Sequence, residues 1–588
     1  MADLVALLTE RLTPAFASVR DAACAETGTD PASVPAPPSV RRSDRADLQA
    51  DGALALAKRL GRSPRDVAAE VIATTDLGDL TASLEVAGPG FLNIDLADDV
   101  LVALARRAHA DARLDVAVDP DAGVVVVDYS APNVAKEMHV GHLRSTVIGD
   151  ALVRVLEHQG HTVVRENHVG DWGTPFGMLI EHLVDVGEEK AVAELSVGDL
   201  NRFYQDARAS FDADDAFKDR SRQRVVRLQS GEAETRRLWQ VLVDQSTAYF
   251  QTVYDRLDVL LTPADVVGES SYNDDLATVV SDLDAAGLLV VDDGAQCVFP
   301  PGFSNRQGEP QPMIVRKADG GYGYAATDLA TVRHRVDETG AGRILYVVGA
   351  PQRDHLRMVF AVARLAGWLP DDVVAEHVGF GNLLGSDRRM FKTRAGTSIR
   401  LVDLLDEAVE RAAAAIADRN PDLVGDEADR VAPVVGIGAI KYADLANDRI
   451  KDYVLDFDRM LAFEGNTGPY LQYAHARIRS IFRRGQVDRA DLDGGALRIG
   501  APQERGLVVT LLGFEAAVGH TAASSQPHRL CTYLFDLAQT FTTFYEACPV
   551  LRTDNDAERA SRLVLCDLTA RTLATGLGLL GIGAPERM

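Results

Sequence analysis

The stretch VVVVDYSAPNVAKEMHVGHLRSTVIGDALVRVLEHQGHTVVRE, residues 124–166, constrains the fold more than any other part of the chain. Four consecutive valines from Val124 to Val127 make an unbroken apolar run, the pattern of a strand covered on both faces. Leu143, Val147, Ile148, Ala151, Leu152 and Val155 then recur at helical spacing, and Gly160 is placed to stop the helix. HTVVRE follows as a second strand. A strand, a helix and a strand in this order predict a βαβ unit and a parallel sheet. Ligands of such sheets sit at the carboxyl ends of the strands, where the next helix offers N–H groups and its positive dipole end.

The loop at that place carries Asn133, Lys136, His139 and His142 within ten positions. His139 and His142 are three residues apart, so they share a face once the helix has begun, and as donors they suit phosphate oxygens that gain charge during phosphoryl transfer. Lys136 adds a mobile cation, and Gly141 has no side chain to keep a nucleotide from the backbone. The loop after this first strand carries neither G-x-G-x-x-G nor a Walker pattern, which excludes the ordinary dinucleotide and P-loop readings there. An isolated H-x-x-H reads equally as a surface pair or a metal site.

A chain of 588 residues is too long for one core. The pattern divides into an N-terminal α+β domain over 1–118, an α/β domain over 119–431 and an all-α helical bundle over 432–588. A polar helical insertion covers about 181–263, and a second βα half is expected from Pro312, with RILYVVGA as its strand.

Composition matters mainly for partners and location. The N-terminal MADLVALLTERLTPAF mixes acids with its apolar residues, and no apolar stretch stands out as long enough for a bilayer. The expectation is a cytoplasmic protein with no membrane partner. Five scattered cysteines without a C-x-x-C pair predict reduced, structural thiols. A net charge of -26 counts against a nucleic-acid partner unless a local basic stripe exists. NTGPYLQYAHARIRSIFRR offers one: Tyr470, Tyr473 and Arg477 stand at i, i+3 and i+7, with Arg479, Arg483 and Arg484 nearby. Aromatics so placed stack on bases or bury in a core; both readings stand at this point.

The string SAPNVAKEMHVGHLRST resembles the HIGH signature of class I aminoacyl-tRNA synthetases, and the arginyl-tRNA synthetase family in particular. The resemblance continues, in order, through DLQADGALALAKRLGRSPRDVAAEV, GPGFLNIDL, ENHVGDWGTPFGMLI, FKTRAGTSIRLVDLLDEA, QYAHARIRSI and LGLLGIGAPERM, nearly the whole chain. It implies a Rossmann-type catalytic domain that ligates arginine to tRNA(Arg) with ATP as substrate and Mg2+ on the outer phosphates. It implies further that His139, Gly141 and His142 contact ATP, with His139 and His142 catalytic. The family's mobile K-M-S-K loop corresponds to DRRMFKTRAG, which keeps Lys392 and Arg394 but not the full signature. Lys136 is expected to supply part of the missing charge.

By the same resemblance Ser130, Asn133, His142, Tyr324, Asp328 and Gln352 bind arginine. A carboxylate such as Asp328 can accept two guanidinium N–H bonds, where a lysine offers a point charge. Ala131 stands where relatives often carry serine, and Ser130 or water is expected to replace that contact. Without the resemblance, Asp328 reads as an acid at a helix start and Tyr324 as a half-buried strand residue. Tyr470, Tyr473 and Arg477 are implied to meet the anticodon loop, and the N-terminal domain the tRNA elbow. The resemblance also implies that arginine activation needs bound tRNA and that the enzyme is a monomer. Two rivals remain: a non-catalytic tRNA-binding paralogue, and an H-x-G-H nucleotidyltransferase that does not use tRNA.

Overall fold

The computed structural model describes residues 4–43, 45–196, 200–305, 307–385, 388–389 and 399–588. Its centre is a parallel sheet of β1 (Val124–Asp128), β2 (Thr162–Val169), β3 (Val266–Gly268), β4 (Arg343–Tyr346) and β5 (Val374–His377), ordered β5-β4-β1-β2-β3. The valines of β1 are buried from Val125 onward, as a central strand covered on both faces requires. Strand order reverses between β1 and β4, so a crevice opens at their carboxyl ends. The helix α1 (Val140–His158) starts in that crevice and stops before Gly160, whose φ of 92° is left-handed.

Five helices spanning 175–257 are inserted between β2 and β3. A small antiparallel sheet, Ala295–Val298 between Val290–Asp292 and Met313–Arg316, comes before β4. The segment from Pro312 therefore does not open the second parallel half, as expected from sequence. Met313 and Val315 are buried while Ile314 and Arg316 face out, and that alternation suits a half-covered antiparallel strand. The second half consists of α2 (Tyr324–Asp337), β4 and α3 (Arg353–Leu365).

The N-terminal part is a four-stranded antiparallel sheet with helices, in which Leu92, Ile94 and Leu96 alternate inward along Phe91–Leu96. The C-terminal part is helical, and helix Leu401–Arg419 already packs on Asp426–Leu445. Among the described residues, Pro502–Ser524 is long and apolar enough to cross a membrane, which the sequence reading did not single out. It is broken at Leu512 and Gly513 into two helices and lies mostly inside the molecule. All five cysteines are buried free thiols.

Two charged contacts hold these layers around the crevice. Arg144 of α1, fully buried, pairs with Asp444 at 3.1 Å and donates to the Lys451 carbonyl at 3.0 Å, tying α1 to the helical part. Arg335 of α2, also fully buried, bridges Asp128 at the end of β1 and Glu166 of β2. Removing one partner of such a buried pair costs about 3–5 kcal/mol, because a charge is left uncompensated.

Candidate active site

The first site is built by the start of α1. His139 is its N-cap: the His139 Nδ1 accepts the Gly141 N–H at 3.0 Å, and the His142 Nδ1 accepts the His139 N–H at 3.1 Å. A backbone N–H can only donate, so both Nδ1 atoms are bare and each neutral ring carries its proton on Nε2. Burial, aided by Lys136, lowers the His139 pKa, and burial together with His139 pushes His142 down to about 3. Two neutral imidazoles thus present fixed N–H donors. Gly141 has a reason besides the one expected from sequence: a Cβ there would lie 2.6 Å from the His139 ring, so glycine also makes room for the cap.

These histidines line a cavity of about 250 Å³ with Asn133, Lys136, Asn201, Gln205 and Arg400. The Lys136 ammonium lies 4.7 Å above the Tyr204 ring of the helical insertion, which restrains it beside the cavity. Lys392 and Arg394 lie outside the described residues.

A second cavity, of about 370 Å³, shares Asn133 with the first and is reached from β1, β2, α2 and the start of α3. Asn133, Tyr324, Asp328 and Gln352 line it together, four of the residues expected to bind arginine. The remaining two do not. His142 faces the first cavity, and Ser130 is buried with its hydroxyl on the Tyr254 hydroxyl at 2.8 Å and on Thr146 at 3.0 Å. Ser130 has a φ of 75° and Ala131 one of 49°, so the left-handed turn points the serine into the interior and leaves Ala131 on the cavity wall.

Acids dominate this wall. Asp128 is held by Arg335 through one oxygen, while its other oxygen is buried with no hydrogen-bond partner. Asp328 pairs with His355 at 2.5 Å, which raises the histidine pKa against its burial. Glu269, just after β3, is pushed up to about 7 by burial and by the negative charges of Asp171 and Asp328. Neither Glu269 nor His355 was found from sequence. Glu269 reaches the cavity only because β3 pairs with β2, whereas His355 lies three residues after Gln352 in GAPQRDH and was within reach of a helical-spacing argument.

A third concavity, of about 610 Å³, lies on the helical part and is lined by Tyr473, Arg477, Arg483, Arg484, Tyr545 and the C-terminal Arg587 and Met588, among others. Arg477 stacks over Tyr545 at 4.7 Å. Tyr470 is not part of it: its ring packs 5.8 Å from Phe535, because a spacing of three and seven leaves it on the edge that faces the neighbouring helix.

Known proteins resemble this chain end to end. The family model described as tRNA synthetases class I (R), catalytic domain, matches residues 109–457. Those for the arginyl tRNA synthetase N terminal domain and the DALR anticodon binding domain match 12–96 and 471–588. An arginine--tRNA ligase of Thermobifida fusca is 56% identical over 94% of this chain and 95% of its own length. The chain belongs to the arginyl-tRNA synthetase family. A Vibrio vulnificus member is 47% identical over the full length of both chains. Among solved family structures, arginyl-tRNA synthetase from Plasmodium falciparum superposes with a TM-score of 0.85 at 28% identity over 99% of both chains. The Thermus thermophilus enzyme gives 0.80 at 26% over 100% of both.

Proposed function

We propose that the two cavities divide the first half of arginine–tRNA ligation between them: the acid-walled one selects arginine, and the histidine-lined one holds the ATP phosphates. The observation that carries this is their junction at Asn133, which places a carboxylate-rich wall next to two fixed N–H donors. Arginine, ATP and tRNA(Arg) give arginyl-tRNA, AMP and pyrophosphate. A carboxylate oxygen of arginine attacks the ATP α-phosphorus, the bond to the bridging oxygen breaks, and pyrophosphate leaves with the electron pair. A ribose hydroxyl of the tRNA terminal adenosine then takes the acyl group and AMP departs. Positioning and charge stabilisation do most of the work in such phosphoryl transfer.

In this reading Asp328 and Glu269 accept the guanidinium N–H groups, with Tyr324 and Gln352 at the rim. The unpartnered oxygen of Asp128 suits the substrate ammonium. The Nε2–H groups of His139 and His142 face the phosphates. Lys136, held over Tyr204, supplies charge to the leaving pyrophosphate in place of a complete K-M-S-K signature. Magnesium, where bound, would be held chiefly by the ATP phosphates and would offset their charge; among the described residues there is no group of three or more His, Cys, Asp or Glu side chains that could hold a metal.

Residues 1–118 contact the tRNA elbow, 119–431 form the catalytic domain with its insertion at about 181–263, and 432–588 receive the anticodon loop. Tyr473, Arg477 and their arginine neighbours stack on bases and meet phosphates, a local basic site on an acidic body. Activation requires bound tRNA, and the enzyme works as a monomer in the cytoplasm, away from membranes.

Charging of an arginine-tRNA transcript with labelled arginine and ATP tests the whole, with lysine and omission of tRNA as controls. Arginine-specific acylation is expected; tight tRNA binding without acylation would instead favour a non-catalytic paralogue. For Lys136, Lys136→Ala should slow pyrophosphate exchange roughly tenfold, and a rate within twofold of wild type would remove it from the mechanism.

A further inference from the structure

The cavity of the histidine pair holds a second cation that neither the sequence nor the family resemblance pointed to. Residues 399–401 run antiparallel to 138–140: the Val140 N–H donates to the Ile399 carbonyl at 3.1 Å and the Leu401 N–H to the Met138 carbonyl at 2.9 Å. Arg400 therefore stands directly opposite His139 in an isolated antiparallel bridge. Residues opposed in this way project their side chains to the same side, and Arg400 lines the cavity together with His139, His142 and Lys136.

We propose that Arg400 is a further catalytic residue, contacting the outer phosphates of ATP and the pyrophosphate as it leaves. The inference rests on the assignment of this cavity to ATP.

Three features support it. First, the guanidinium is oriented in advance: its Nε and Nη2 donate to the two oxygens of Asp403 at 2.8 and 2.6 Å. An arginine has five N–H donors, so that pair leaves three, on the side where Glu137, another cavity residue, stands 3.8 Å from Nη1. Second, the Arg400 side chain remains about half exposed, at 52%, so a phosphate can reach it without displacing core packing. Third, the backbone pairing couples it to the N-cap of α1, so the cation and the imidazole donors keep one mutual geometry. A planar guanidinium binds two phosphate oxygens at once, which the Lys136 ammonium cannot do. Lys136 and Arg400 together replace charge that one loop lysine supplies elsewhere. Arg400 exchanges no proton in the step; it offsets charge that collects on the departing oxygens.

A role for Arg400 in merely holding the start of helix Leu401–Arg419 through Asp403 is the competing explanation, and the variants are chosen to separate the two. Pyrophosphate exchange with bound tRNA would be measured on the full chain for wild type, Arg400→Gln, Arg400→Lys and Asp403→Asn. Expected are a fall of about tenfold or more in kcat for Arg400→Gln, a raised KM for pyrophosphate, and a KM for arginine within twofold of wild type. Arg400→Lys should regain part of the rate, and Asp403→Asn, which keeps one acceptor for the guanidinium, should lose clearly less than Arg400→Gln. Exchange by Arg400→Gln within twofold of wild type, or an equal loss in Asp403→Asn, overturns the proposal. Should Arg400→Gln fail to fold, Arg400→Lys decides: a raised KM for pyrophosphate at unchanged Tm supports the contact, and an unchanged KM overturns it. Wild-type protein that shows no exchange with arginine at all would overturn the assignment of the cavity itself, a different outcome from an active wild type with an indifferent Arg400→Gln.

Discussion

The two cavities meet at Asn133 yet differ in the balance of acids and cations on their walls. One gathers Asp128, Glu269 and Asp328, and the other gathers Lys136, Arg400 and two neutral histidines beside the Glu137 carboxylate. They also differ in origin. Much of the histidine-lined cavity comes from one short loop, residues 133–142, folded back on itself as a helix cap. The acid-walled cavity is assembled from five separate segments that the parallel sheet brings together. The contrast separates donors for an anion from acceptors for a cation within one crevice, and it assigns different kinetic constants to the two sets of residues.

The largest effect should follow Asp328→Ala. With the guanidinium partner gone and His355 left unpaired, the KM for arginine should rise several hundredfold, roughly 3–4 kcal/mol, while the KM for ATP changes little. Arginine titrations in the exchange assay measure this; an equal rise in both constants would mean that the cavities are not separate. His142→Ala should act the other way round. It removes one fixed N–H donor and should lower the exchange kcat about a hundredfold, about 3 kcal/mol, with arginine affinity nearly intact.

Glu269 yields a smaller, pH-dependent effect. Its carboxyl titrates at about 7 because it is buried beside Asp171 and Asp328. A raised carboxyl pKa means a neutral group at pH 6 and a carboxylate at pH 8, and only the carboxylate offers a full charge to a guanidinium. The KM for arginine should therefore fall roughly tenfold between pH 6 and 8, and arginine binding near neutral pH should release protons, which calorimetry in buffers of different ionisation enthalpy can count. Glu269→Gln should flatten the profile; a wild-type profile that is already flat would take Glu269 out of the recognition set.

The smallest effect belongs to the distant groove. Arg477→Ala should weaken tRNA binding a fewfold and reduce the slope of log affinity against log salt by about one. Exchange kinetics at saturating tRNA should stay at the wild-type level. An unchanged salt slope would show that Arg477, stacked on Tyr545, serves packing alone.

How legible each part was follows the same division. The strand, loop and helix of residues 124–158 were readable because their signals are local: an apolar run, a helical period and a histidine pair at fixed spacing. The string around Asp328 was found only through family resemblance, since an acid near the start of a helix has an ordinary explanation. The place of Ser130 could not be read, because nothing local announces a φ of 75°; in that turn its hydroxyl meets Tyr254. Tyr470 shares a nominal face with Tyr473, yet its ring packs against Phe535 of the adjacent helix.

The amino-acid sequence by itself determined the βαβ core, the histidine-bearing loop after its first strand and membership of the family, because each rests on patterns a few residues long or on strings read in order. Tertiary structure decided which acids face one another. Strand pairing carries Glu269 to the cavity beside Asp328, an antiparallel bridge sets Arg400 opposite His139, and a left-handed turn withdraws Ser130. These outcomes depend on contacts between residues far apart in the chain, where packing and hydrogen bonding, not local propensity, select the conformation.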